Sequence, residues 1–287
     1  METLVNKNNF IIQQPQLVYS KSYEIEITQK IISESDVNEN ITSYNVKKSL
    51  IKKDAFGFLY SLDITKRKQS NQEGLRGMEY YLSLFQKKII LYVDELGQFK
   101  SIVNLKEIEE QWITSRSDFK KRFKKTPNIS EIIERLNLLF SDMESFIKVF
   151  NQSELVSLLF PPVYTEFLTT ESYLIQQKNY EDFFGAISLP LLIKTEIIKL
   201  PTKDNKALKM SRQGHINKSL FKEDEIKQFF RNHYQKYNLI VDFDINYIEL
   251  LDLDSKYVID YAMQIFSVKI GGVYLFEQFS KVITVKE

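Results

Sequence analysis

The stretch "YEIEITQKII" alternates apolar and polar residues through its first six positions, and this period of two constrains the chain more than any other feature. Tyr23, Ile25 and Ile27 fall on one side of an extended backbone, with Glu24, Glu26 and Thr28 on the other. That is the pattern of a half-buried β-strand. "FGFLYSLDITK" repeats it and predicts that Phe56, Phe58, Tyr60, Leu62 and Ile64 share a face. "KKIILYVDELGQFKSIVN" reads as two strands joined at Asp94-Glu95-Leu96-Gly97, where Gly97 can take the positive φ of a tight hairpin.

The period changes in the middle of the chain. From Leu105 to Lys125, Ile108, Trp112, Phe119 and Phe123 recur at helical spacing. Glu107, Glu109 and Glu110 lead this segment, and Lys120, Lys121, Arg122, Lys124 and Lys125 close it, an order that complements the helix dipole at both ends. Asn128 with Glu131 predicts a capping box. The stripe Ile132, Leu136, Leu139, Met143, Phe146 and Phe150 predicts a continuous helix behind it. Ser153 is placed to cap a third, short helix that Pro161-Pro162 must end.

Strands return in the last third. "AISLPLLIKTEIIKL" is apolar and partly alternating, with Pro190 read as a mark of a sheet edge or an irregular start. A helix is expected over "FKEDEIKQFFRNHY", with Glu223, Asp224 and Glu225 leading and Arg231 and His233 trailing. "YNLIVDFDINYIEL", "KYVIDYAMQIFSVKI" and "GGVYLFEQFSKVITV" then predict an antiparallel meander, with Gly271-Gly272 at a hairpin or bulge. Strand, helix and strand blocks without regular βαβ alternation place the chain in the α+β class. The expectation is antiparallel, β-rich N- and C-terminal parts (residues 20–104 and 173–287) around a central helical segment (105–168). No Gly/Ser/Pro-rich linker marks a boundary, so residues 1–287 are read as one integrated domain, with a two-lobed fold as the alternative.

The acidic run "DFDINY" is the first place to look for chemistry, with Glu249, Asp252 and Asp254 close behind. Asp242, Asp244 and Asn246 match the first three oxygen positions of an EF-hand calcium loop. The sixth position, which requires Gly, is Tyr247, and the twelfth, which requires Glu, is Leu253. Leu239, Val241, Phe243, Ile245 and Tyr247 alternate with the acids, and strand neighbours two apart lie about 6.5 Å from each other, too far for one ion to be held by an adjacent pair alone. The run is therefore read as the solvated side of a strand.

Other chemistry is equally thin. His215 and His233 are the only two histidines and fall short of the three or four ligands of a zinc site. The first is read near a turn and the second at a helix end, where a cation is favoured. No GxSxG, HExxH, Walker or GxGxxG pattern occurs, and eight glycines leave little for a phosphate-cradling loop. "EGLRGMEYY" is read as a polar connection carrying Gly74 and Gly77. The absence of cysteine excludes disulfides, thiolate metal sites and a cysteine nucleophile. The balance of 39 Lys plus Arg against 38 Asp plus Glu gives no global field for nucleic acid or anionic lipid. The basic cluster Lys120, Lys121, Arg122, Lys124 and Lys125 is read as a solvated helix end, because Phe119 and Phe123 share the stripe of Trp112.

The N-terminus carries only the short apolar run Phe10-Ile11-Ile12, and no segment has the length of a membrane span, so a soluble cytoplasmic protein without membrane insertion is expected. No catalytic, cofactor-binding or metal-ligating residue is assigned, no cofactor is expected, and the chain is read as a non-enzyme. The first functional expectation is a protein-interaction module: an adaptor, an assembly factor or a toxin-neutralising partner whose partner is another protein. The second is a carrier of an apolar ligand between a curved sheet and the helices around residues 128–168, drawn from the 16 Tyr and 21 Phe. The third is an enzyme using Asp242 or Asp244 with His215 or His233.

Overall fold

A computed structural model of the protein describes residues 10–34, 36–167, 173–199 and 208–285. Residues 1–9, most of the stretch read as lacking a leader, lie outside the described residues, as does Leu200 of the predicted "AISLPLLIKTEIIKL" strand. In chain order the elements are β1 (Phe10–Ile11), β2 (Tyr19–Ser33), β3 (Asp36–Asp54), β4 (Gly57–Gln69), α1 (Gly74–Ser83), β5 (Lys88–Val93), β6 (Phe99–Ile102) and α2 (Leu105–Arg122). They continue with α3 (Ile129–Ser141), α4 (Met143–Asn151), α5 (Glu154–Leu159), β7 (Glu166–Phe167), β8 (Tyr173–Phe184), β9 (Ile187–Lys199) and β10 (Leu208–Ile216). The last are α6 (Glu223–His233), β11 (Phe243–Leu253), β12 (Ile259–Ile270) and β13 (Tyr274–Val285). The fold is α+β as expected, with strand-rich outer parts and helices in the middle. Eleven strands form one antiparallel sheet in the order β6-β5-β4-β3-β2-β13-β12-β11-β10-β9-β8, and β1 pairs separately with β7.

The chain divides into two compact units, each built from several stretches. One comprises residues 1–12, 27–40 and 166–281, the other 13–26, 41–165 and 282–287. Strands β2, β3 and β13 contribute to both.

In the 166–281 unit the sheet curls. Tyr180 on β8 stacks on Phe266 of β12 with ring centroids 4.7 Å apart. Three strands separate these two in the sheet order. At a spacing of about 4.8 Å per strand they would stand about 19 Å apart in a flat sheet. Helix α6 adds Ile226 and Phe230 to the enclosed cluster of Phe184, Leu189, Leu191, Ile193, Tyr247 and Phe266.

In the 41–165 unit the buried faces of β3, β4, β5 and β6 align in register. Leu50 stands opposite Tyr60, Tyr60 opposite Leu91, and Leu91 opposite Ile102. Helices α2 to α4 bring Trp112, Phe119, Phe140, Phe146 and Phe150 to the core of this unit. Each such large apolar side chain contributes about 1.5–3 kcal/mol on full burial.

Several details depart from the sequence reading for local reasons. Phe56 does not share the face of Phe58, Tyr60 and Leu62: Asp54 pairs with Gly57, so Phe56 sits exposed in a tight turn. Gly57 permits that turn with φ +121°, and a Cβ there would lie 2.5 Å from the Val93 carbonyl oxygen. The supposed polar connection at Gly74 and Gly77 is helix α1, which buries Gly77 and Met78. Asn128 does not cap α3, because its backbone is left-handed at φ +57° rather than extended and its side chain makes no cap hydrogen bond. The predicted continuous stripe is broken at Asp142, which caps a new helix by accepting from the Ser145 amide. The break shifts the phase, so Ile133 and Phe140 face inward in α3 instead of Ile132 and Leu139. Strand β9 lies between β8 and β10, so Pro190 marks no sheet edge. Its carbonyl still accepts from the Asn217 amide, and only the missing N–H is lost.

Candidate functional site

Each unit buries a charged side chain on the apolar face of its sheet. In the 166–281 unit it is Arg212 on β10. Thr195, Arg212, Glu249 and Gln264 occupy one register row across β9, β10, β11 and β12. Arg212 Nη1 donates to Glu249 Oε2, and both side chains are almost fully buried. Tyr247 also donates to Glu249 at 3.0 Å and accepts from Gln264 at 3.1 Å. The row continues sideways: Gln278 on β13 donates to Gln264 at 3.1 Å, and Gln29 on β2 donates to Gln278 at 2.8 Å. Burial pulls the Arg212 pKa down, but Glu249 beside it more than offsets this and keeps the guanidinium charged. Burial, then the charge of Glu249, hold the Tyr247 phenol above its ordinary range, so it stays a donor. The row pairs the charge of Arg212 with that of Glu249 through Oε2, while Glu249 Oε1 is buried without a hydrogen-bond partner.

The 41–165 unit is different. Lys48 on β3 points into the apolar face, flanked on its own strand by buried Val46 and Leu50. It stands opposite Leu62 of β4, which in turn stands opposite Ile89 of β5. Lys48 is 2% exposed. Its ammonium donates to the carbonyl of Leu159, the last residue of α5, where the helix dipole favours a cation. It also lies 3.8 Å from the ring centroid of Phe160 and 5.0 Å from that of Tyr60. Among the described residues no carboxylate forms an ion pair with it. Burial alone depresses its pKa from 10.5 to about 7.

Around Lys48 the polar groups are tyrosines and an amide. Tyr60 donates to Gln14 Oε1 at 2.8 Å, and the rings of Tyr19 and Tyr60 meet edge to face. Gln14 is 2% exposed, and its Nε2 is buried without a hydrogen-bond partner. Burial, followed by the neighbouring tyrosines, raises the Tyr19 and Tyr60 pKa values above the ordinary phenol range, so both stay neutral. Gly97 closes this corner with φ +87°, and a Cβ there would come 3.3 Å from the Tyr164 ring and 3.4 Å from Gln14 Nε2.

The cover over this face is made of short pieces. Helices α3, α4 and α5 are 13, 9 and 6 residues long. The joints carry side-chain caps, Asp142 to the Ser145 amide and Ser153 to the Val156 amide. Aromatic rings bridge cover and sheet: Phe99 of β6 meets Phe150 of α4 at 5.8 Å and Phe160 at 5.1 Å, and Tyr60 of β4 meets Phe160 at 5.3 Å. Outside it, an open surface groove of about 490 Å³ beside α2 is lined by Phe85, Glu107, Glu110, Gln111, Thr114 and Ser115 and gathers no reactive set.

The residues singled out in the sequence lie elsewhere. Asp242 and Asp244 are exposed, at and just before the start of β11, and their side of the strand is solvated as predicted. Glu249 is the exception: it shares parity with Tyr247 and Leu251 and is fully buried. His215 is exposed near the end of β10, and His233 ends α6 with its ring stacked on Phe229. Lys120, Lys121, Arg122, Lys124 and Lys125 are exposed at and beyond the end of α2, while Phe119 is buried with Trp112. Among the described residues no group of three or more His, Asp or Glu stands where it could hold a metal ion. Among the same residues no helix is long and apolar enough to cross a membrane. Lys48, Gln14, Arg212 and Gln264 carry no assignment from the sequence, and Glu249, grouped there with the solvated acids, is buried. The available signal was parity: Lys48 falls in step with Val46 and Leu50.

No protein-family model and no curated protein sequence matches this chain. Among solved structures it is similar to a lipovitellin chain from work on lipid–protein interactions in lipovitellin, at 11% identity and a TM-score of 0.45. That match covers 95% of this chain and 25% of the lipovitellin chain, so this protein spans about a quarter of that length. DynF from the dynemicin biosynthesis pathway of Micromonospora chersina matches at 5% identity and a TM-score of 0.20, covering 99% of this chain and 90% of DynF. A DUF1329 family protein from Desulfovibrio piger matches at 10% identity and a TM-score of 0.15, covering 93% of this chain and 85% of that one. Likenesses this distant assign no function.

Proposed function

We propose that this protein is a non-catalytic carrier of an apolar molecule, held in the 41–165 unit between the sheet and the helices α3 to α5. The observation that supports the reading is the segmented cover. Three short helices, jointed at Asp142 and Ser153, lie on an aromatic sheet face and meet it through rings at Phe99, Tyr60, Phe150 and Phe160. Ring-to-ring contacts are apolar and individually worth only about 0.5–1.5 kcal/mol beyond their area, so an apolar guest can replace them at little cost. A continuous helix would have to lift as a whole, whereas jointed segments open one at a time.

Native mass spectrometry of the gently purified full chain tests the reading. An adduct lost on organic extraction, and regained on mixing with a long-chain lipid extract, is the expected result. A bare chain that also leaves the neutral dye N-phenyl-1-naphthylamine dark would overturn it.

A further inference from the structure

We propose that the carried molecule ends in a carboxylate and that Lys48 is its counter-ion, an inference that rests on the carrier reading above. Among the described residues, the interior of the 41–165 unit has donors to spare and buries no carboxylate. An ammonium offers three N–H donors, and the Leu159 carbonyl takes one. The rings of Phe160 and Tyr60 face the same ammonium and supply no acceptor oxygen to it. Gln14 Nε2, also buried, has no partner at all. Both groups converge on Tyr60, Gln14 through its hydroxyl and Lys48 over its ring. A native interior leaves few such groups unsatisfied, and a buried charge is ordinarily paired.

The chemistry of the missing group follows from what is present. The phenols of Tyr19 and Tyr60 are neutral, so below about pH 7, where Lys48 is protonated, the local excess is one positive charge. One monoanion balances it, whereas a phosphate monoester, partly dianionic even at pH 6, would leave an excess negative charge in an apolar interior. A carboxylate brings one charge and two acceptor oxygens. The apolar neighbours Val46, Leu50, Leu62 and Ile89 suit a hydrocarbon chain behind the head. The reading differs from a simple structural lysine in one respect: a structural role requires no ligand preference.

The test uses the full chain after organic extraction, loaded with N-phenyl-1-naphthylamine at pH 6 and challenged with hexadecanoate, hexadecanol and hexadecyl phosphate. Hexadecanoate is expected to displace the dye at about tenfold lower concentration than hexadecanol, the worth of one charge-assisted hydrogen bond. In Lys48→Met the two, each scored against that variant's own dye affinity, should converge to within about threefold, and Gln14→Leu should narrow the gap in part. Lys48→Gln serves if Lys48→Met does not fold, as judged by circular dichroism. Equal displacement by acid and alcohol in the wild type, with dye bound, overturns the carboxylate assignment and leaves the carrier standing. Preference for the phosphate does the same. Acid preference that survives in Lys48→Met removes Lys48 from the role. A chain that binds no dye defeats the carrier reading and this inference with it.

Discussion

Arg212 and Lys48 are each about 2% exposed, and the strands around them treat them in opposite ways. Arg212 enters a row already furnished with Glu249, Thr195, Tyr247 and Gln264, so its charge is matched within the fold. Lys48 enters a row of Leu62 and Ile89 and meets one carbonyl and two rings. The first arrangement has its stabilising partners built in. The second leaves a cost standing, and a cost left standing in a buried interior points to a role outside stability. The comparison thus separates a charge that serves the fold from one free to serve a guest.

The largest effect should come from breaking the matched pair. Glu249→Ala leaves Arg212 buried and uncompensated, and a loss of about 3–5 kcal/mol in urea unfolding is expected. Replacing both partners together, Arg212→Met with Glu249→Met, should recover most of that loss, because no charge is then stranded. If Glu249→Ala costs less than about 1 kcal/mol, Arg212 does not depend on Glu249 as their ion pair implies.

Lys48→Met should act in the opposite direction. The folded pKa of Lys48, about 7, lies below its ordinary 10.5. Below pH 7 the ammonium is charged in both states and the folded state bears the full burial penalty. Between pH 7 and 10.5 the folded chain holds a neutral amine while the unfolded chain is still charged, so the penalty shrinks as pH rises. Above 10.5 it is gone. At about 1.4 kcal/mol per pH unit the ceiling is about 5 kcal/mol, and relaxation and water entry should reduce the gain to about 2–4 kcal/mol at pH 6. Urea unfolding at pH 6 and pH 10 reads this directly. A gain that does not fade toward pH 10 would mean that the effect is packing, and the contrast with Arg212 would lose its electrostatic basis.

Much of this was visible in the sequence, and the part that was not has a physical cause. Alternation placed Tyr23, Ile25 and Ile27 on the inner face of β2 because all three are apolar and the intervening residues polar. The same rule hides Lys48 and Glu249. In "NVKKSLI" and "NYIELLD" a charged residue occupies an inward step, and charge reads as solvent-facing unless the neighbours two away are weighed. Gln14 is further out of reach, since it lies in the loop between β1 and β2 and its partner Tyr60 is 46 residues along the chain. Helix α1 was masked by Gly74 and Gly77, the latter required because a Cβ would fall 2.3 Å from the Gln72 carbonyl oxygen. The broken cover was half legible. Ser153 announced its helix, while Asp142 was submerged in an apolar stripe that looks continuous in one dimension.

The smallest effect tests whether the cover over Lys48 is a gate or only a roof. Ser153 caps α5 through a single hydroxyl contact of 3.4 Å to the Val156 amide, and α5 ends on the carbonyl that Lys48 holds. Ser153→Ala should cost about 0.5–1 kcal/mol, the lower range for an N-cap because the contact is long. Amide exchange in α5 should quicken accordingly, while the Arg212 row, in the other unit, should show no change. If α5 is the gate, stopped-flow release of N-phenyl-1-naphthylamine should speed up by about two- to fivefold, since the same free energy comes off the opening step. Faster exchange with unchanged release would place the exit elsewhere along the cover, most directly at the Asp142 joint, and would leave the carbonyl of Leu159 as an anchor for Lys48 and nothing more.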